Sequence, residues 1–207
     1  YTGNVWTHII SLHREDAVRL GYNYAEAWRT LLRTHRNDIA AAMKIPPEDF
    51  RWYAAFHDEG NHPHVHMMAW SAKPNQAYLS KDGIRQIKST LTNQIFQQEL
   101  LHVYEQKSKS RNELVAEARK AMLELAKAMR EMTCIHPEAE QMIWKLSKQL
   151  SIVAGKKTYG YLPKPMKKLV DEIVDQMARL PTVDACYQTW WELQCQVEDY
   201  YSEGKKR

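Results

Sequence analysis

A chain of 207 residues fits one domain of ordinary size, or a compact domain with a helical extension, and can bury a core without disulfides or a structural metal. Its 29 basic and 25 acidic side chains leave a net charge of +4, too small to specify a nucleic-acid partner by itself. No apolar run reaches the roughly 18 residues of a membrane span and no signal-peptide pattern opens the chain, so membrane insertion is excluded and a cytoplasmic protein is expected.

The first residue is Tyr1, not Met, and TGNVWTHIISL already reads as structure; a fragment lacking an N-terminal segment is expected. Val5 to Leu12, rich in β-branched and aromatic residues, predicts a strand. Arg14 to Leu20 predicts a short helical turn ended by Gly21, and Tyr24 to Met43 one helix broken by Pro46-Pro47. Phe50 to Phe56 and His64 to Ser71 (HVHMMAWS) predict two strands around the polar, glycine-containing HDEGNH, which makes a β-hairpin closed off by Lys73-Pro74-Asn75.

From Ser80 the pattern turns helical. Ser80 caps a helix with Ile84, Ile87, Leu91 and Ile95 on its apolar positions, and Ser110 is expected to cap the next, which carries Val115 to Met132. A third helix shows Ile143, Leu146, Leu150 and Val153, a fourth Met166 to Leu180, and a fifth, capped by Thr182, Val183 to Val197. Cys134, Cys186 and Cys195 lack C-x-x-C spacing and read as reduced, buried thiols; the terminal GKKR reads as disordered. The class is α+β, with residues 1–80 forming the sheet part and 81–207 a helical region packing on it or extending from it.

The segment Phe56 to Met68 carries the chemistry. Strand side chains alternate, so His64 and His66 project to one side while Val65 points to the other. His57 ends the preceding strand of the same hairpin and can supply a third imidazole. Three neutral imidazoles leave coordination positions open, as a catalytic rather than a structural metal requires. Asp58 or Glu59 in the loop can accept the second N–H of a ligand histidine. His62 is expected to face solvent because Pro63 disturbs pairing there; His8, His13, His35, His102 and His136 are isolated.

HDEGNHPHVHMM resembles the third motif of plasmid-mobilisation relaxases of the Mob type (MobA/MobL-like), members of the HUH endonuclease superfamily. His57, Glu59, Pro63, His64, Val65 and His66 fall at that motif's spacing, with Glu59 where the family usually carries aspartate. The stretch KKTYGYLPKPMKKLVDEIVDQM is similar to the helical region that follows the motif. The resemblance implies an antiparallel sheet carrying the histidines and flanked by helices. It also implies Mg²⁺ or Mn²⁺ held by His57, His64 and His66 (Zn²⁺ or Ni²⁺ standing in within a crystal), with Glu59 orienting a ligand. The implied reaction is nicking and strand transfer of single-stranded DNA at an origin of transfer through a phosphotyrosine, with relaxosome accessory proteins as further partners.

The nucleophilic tyrosine of that family lies ahead of the histidines. Tyr1, Tyr22, Tyr24 and Tyr53 precede His57 here, Tyr22 and Tyr24 at a helix start and Tyr53 on a strand face shared with His57. None stands in a recognisable version of the motif, so the nucleophile is expected upstream; Tyr22, Tyr24 and Tyr53 are the in-chain candidates ahead of the histidines, and Tyr159 and Tyr161 follow them. Two other classes compete. A histidine-triad nucleotide hydrolase would use His62, His64 and His66 without metal but gives His57 no role. A non-catalytic origin-binding module draws on the basic stretch Lys156, Lys157, Lys164, Lys167 and Lys168 with its two tyrosines, which reads equally as a solvated surface. The expected DNA contacts are Arg51, Lys73, Arg85, Lys156, Lys157 and Lys164.

Overall fold

A computed structural model describes residues 1–60, 62–133 and 135–202; Cys134 and the terminal GKKR therefore lie outside the described residues. The protein is α+β and divides into two compact units, residues 1–101 with the end of the last helix from Asp199, and residues 102–198.

In the first unit, β1 (Val5–Ser11), β2 (Phe50–His57) and β3 (His64–Ser71) form an antiparallel sheet in the order β1-β3-β2. The strand bearing two of the motif histidines is thus central, paired along its whole length with β2 and from His64 to Trp70 with β1. One face of the sheet is apolar: Val65, Met67 and Ala69 of β3 and Phe50 of β2 are buried, with Trp6, Ile10, Trp52 and Phe56 packed beside them. Helices α2 (Ala25–Thr34) and α3 (Arg36–Ala42) supply Trp28, Leu31, Leu32 and Ile39 to the same core. Trp28 is almost wholly buried; its indole N–H donates to the Tyr22 carbonyl at 2.7 Å and its ring centroid lies 6.5 Å from that of Phe56.

One expectation needs correction in this stretch. Tyr24 to Met43 is two helices, not one, because His35 leaves the helical region (φ −96°, ψ 15°), its Nδ1 lying 2.8 Å from the Asp38 carboxylate and its Nε2 3.3 Å from Gln94. The short α1 (Arg14–Arg19) forms as expected and ends before Gly21. Helix α4 (Lys81–Ile95) begins where Ser80 predicts, the Ser80 hydroxyl accepting from the Gly83 N–H at 3.1 Å. A side chain at Gly83 would place its Cβ 2.5 Å from the Ala42 carbonyl oxygen, so the glycine permits the close approach of α4 to α3. Ile87, Leu91 and Ile95 join the sheet's core, within the compact unit that runs to Leu101.

The helix α5 (Gln97–Arg130) runs through Ser110, which is buried within it and caps nothing. A serine hydroxyl marks a cap only where the backbone leaves the helix, and here the flanking sequence continues it. In the second unit Leu125 of α5, Ala139 of α6 (Pro137–Ile152) and Leu169, Ile173 and Met177 of α7 (Lys164–Ala178) share a core of their own. Helix α8 (Pro181–Tyr201) begins with proline in the first turn, so Thr182 lies inside it and is not its cap. Cys186 and Cys195 on α8 are free and half-buried. Among the described residues no helix is long and apolar enough to cross a membrane.

Candidate metal centre

The register brings the three motif histidines together. His57 stands directly opposite His64 across the β2–β3 ladder, and His66 lies two residue pairs further along, on the same face, between Ile9 and Ala55. Opposed residues of antiparallel strands share a face, so all three rings rise from the side of the sheet away from the core. Their centroids form a near-equilateral triangle: 5.3 Å from His57 to His64, 5.1 Å from His57 to His66 and 5.0 Å from His64 to His66. Three imidazoles bound to one ion through ~2.0–2.1 Å metal–nitrogen bonds have centroids about 5 Å apart when those bonds are near tetrahedral.

The rings are gathered, but their lone pairs are not aligned on a common point. Among the described residues no three His, Cys, Asp or Glu side chains already form a ligand set. The His57 and His64 planes are stacked at 11°, whereas two rings binding one ion must each hold it in their plane. For the three rings to share one ion, His57 would have to turn about its side-chain bonds. His64 is already oriented: its Nδ1 lies 2.8 Å from the His62 carbonyl oxygen, which can only accept, so in the neutral ring Nδ1 carries the hydrogen and Nε2 the lone pair. The three imidazoles, on one strand pair and with one tautomer fixed, are donors of the type that divalent metal ions take.

Two supports of the hairpin escape a sequence reading. Arg14, at the start of α1, reaches 46 residues along the chain to donate to the Gly60 carbonyl at 2.8 Å and also pairs with Asp58. It thereby clamps the loop joining the two histidine strands, at a glycine whose φ of +56° suits no β-branched residue. Asp58 is thus committed to Arg14, and Glu59 is exposed beside it. His13 is the second feature. Continuing the face past Ser11, its ring lies 4.9 Å from that of His62, adding a further imidazole pair at the same end of the sheet. The signal was present in the alternation, since His13 and Ser11 have the parity of Ile9, but it emerges only once the β1–β3 register is known.

The tyrosine candidates scatter. Tyr22 packs edge-on against Trp28, and burial raises its hydroxyl pKa. Tyr24 caps α2 and is exposed. Tyr53 does share the histidine face; its ring lies 5.7 Å from that of Trp70, two residue pairs farther from the histidines. In the second unit Tyr159 donates to the Asp171 carboxylate at 2.8 Å, a bond that raises its pKa, and Tyr161 is exposed in the same 3₁₀ turn.

The basic residues are placed as follows. Arg51 lies on the histidine face and donates to the carbonyls of Glu48 and Phe50. Arg85 pairs with Asp82 on α4. Lys156, Lys157 and Lys164 belong to the second unit, Lys156 lying 5.5 Å from the Tyr161 ring centre. The Lys73 ammonium lies 2.8 Å from the buried Asp49 carboxylate. That hydrogen bond, reinforced by the lysine's charge, holds the Asp49 carboxyl below its ordinary pKa and raises that of Lys73. Because the folded pKa of Asp49 is the lower one, its stabilisation is complete above the ordinary carboxylate range and is lost as pH falls through the depressed value. Asp49→Asn is expected to flatten the acid side of a plot of urea-unfolding midpoint against pH; an unchanged acid side would contradict this pairing.

Compared with known proteins, the chain matches the family model of the MobL relaxases over residues 1–207. No curated protein and no solved structure matches it.

Proposed function

The chain belongs to the MobL relaxases, and from that premise we propose that its open sheet face binds single-stranded DNA at an origin of transfer, with His57, His64 and His66 holding Mg²⁺ or Mn²⁺ at the scissile phosphate. The observation carrying this reading is the triangle of imidazoles, each centroid 5.0–5.3 Å from the other two. A bound ion supplies Lewis acidity toward a non-bridging phosphate oxygen and offsets charge in the transition state.

The chain's own residues do the positioning. The paired strands fix where the three rings stand, the His62 carbonyl holds the tautomer of His64, and Arg14 holds the loop between them. Glu59 is proposed to accept the remaining ring N–H of a ligand histidine, which would raise that ligand's basicity. In the reaction a tyrosine hydroxyl attacks phosphorus, forming the P–O(tyrosine) bond and breaking the bond to the 3′ oxygen. The proton lost by the tyrosine is matched by the one gained at the free 3′-hydroxyl, and the retained phosphodiester makes the step reversible. Of the three candidates ahead of the histidines, Tyr22 packs against Trp28, Tyr24 stands at the start of α2, and Tyr53 alone shares the histidine face. The histidine-triad alternative leaves His57 idle, although the fold sets it opposite His64.

Fluorescence anisotropy with single-stranded oligonucleotides tests the reading without requiring turnover. Mn²⁺ is expected to tighten binding by about tenfold in the unaltered chain, the size of one well-formed charged contact. His64→Ala is expected to abolish that metal-dependent gain. Equal affinity with and without Mn²⁺ would overturn the proposal.

A further inference from the structure

The face that carries the histidines has a second half. The strands contribute four positions each to it, twelve in all, and none is a carboxylate; the single charged residue is Arg51. Beyond the row of His66 come Tyr53 and Met68 opposite one another, then Arg51 and Trp70. Tyr53 is 74% exposed, Ile9 68% and Met68 49%, whereas the aromatic residues of the opposite face sit in or against the core. The Tyr53 and Trp70 rings lie 5.7 Å apart at 36°, forming an aromatic ledge that starts at Tyr53, roughly 7 Å or two strand residues from the His66 row, and ends at Trp70, two residues farther on.

The geometry points to Tyr53 and Trp70 as a stacking platform for a nucleobase of the single strand whose phosphate sits on the imidazoles. The proposal rests on the preceding reading that single-stranded DNA lies on this face. Three observations select this occupant. The ledge is continuous with the phosphate site, separated from it by about the span of a sugar and its base. The surface lacks acidic side chains, so nothing on it repels a polyanion. Its exposed residues are flat rings and apolar side chains, which bind the π-faces of unpaired bases and have no complement in a duplex, where those faces are stacked on each other. Tyr53 thereby acts through its ring rather than its hydroxyl, as a positioning residue that sets which nucleotide presents its phosphate to the metal.

A series of oligonucleotides, each with one abasic residue, tests this by anisotropy with Mn²⁺ present. The unaltered chain is expected to lose about tenfold in affinity when the abasic residue occupies one particular position, as the removal of one stacked base does. Tyr53→Ala is expected to lose about tenfold on the intact oligonucleotide and nothing more on that abasic one, because both changes remove the same contact. Tyr53→Phe keeps the ring and is expected to bind as the unaltered chain does. Tyr53→Ala that binds normally, while His66→Ala does not, would overturn the platform and leave the metal site standing. A change in self-association of Tyr53→Ala by sedimentation, without a change in DNA affinity, would give the face to a second copy of the chain and overturn the platform equally. Failure of the unaltered chain to bind any single strand would overturn both readings.

Discussion

His66→Ala is expected to lower affinity for Mn²⁺ by at least a hundredfold while the thermal midpoint stays within a few degrees of the original. The side chain is exposed on the central strand, so its removal opens no cavity, and the ladder bonds on both sides of β3 belong to the backbone. Alanine at such an open position costs roughly the few tenths of a kcal/mol typical of surface changes. The metal loses much more. Changing even the group that orients a ligand costs on the order of 10–100-fold in affinity, and removing the ligand itself leaves His57 and His64, whose rings are stacked at 11° and chelate poorly as they stand. Isothermal titration with Mn²⁺ and a melting curve on the same sample measure both. A large drop in melting temperature would give His66 a structural role in place of a ligand role.

The second large effect lies in the core. Trp28→Ala is expected to destabilise the first unit by about 3–5 kcal/mol, the usual cost of truncating a buried tryptophan. The ring is almost wholly buried, contacts Tyr22 and Phe56, and places its N–H on the Tyr22 carbonyl. Alanine would leave both a cavity and an unpaired carbonyl. Phe56 immediately precedes His57 and packs on the opposite face, so the variant should also lose Mn²⁺ affinity, whereas Trp28→Phe should recover most of both. Urea unfolding followed by tryptophan fluorescence provides the measurement. A loss below 1 kcal/mol would show that α2 does not anchor the sheet.

Local periodicity made most of the elements legible. The three strands and Ser80 at the start of α4 follow from alternation and capping, which act over a few residues. His35 was missed as a helix break because the contacts that hold it, Asp38 and Gln94, include one 59 residues away. Ser110 and Thr182 misled for the opposite reason: a residue type that favours caps is also tolerated inside a helix when packing continues it. Within the site, the shared face of His64 and His66 is a property of one strand and was readable. That His57 faces His64 depends on the β2–β3 register, and the clamp by Arg14 and the pairing of His13 with His62 depend on chain crossings that no local pattern encodes. The tyrosines remained open for the same reason, since a nucleophile is defined by where its hydroxyl stands relative to other strands.

Pulsed EPR on Mn²⁺-loaded protein carrying ¹⁵N-histidine examines the centre directly. One ion for each chain is expected, coupled to imidazole nitrogens from both arms of the hairpin, with one coupling lost in each of His57→Ala, His64→Ala and His66→Ala. A Mn²⁺ signal without nitrogen coupling, or one unchanged in all three variants, would contradict it.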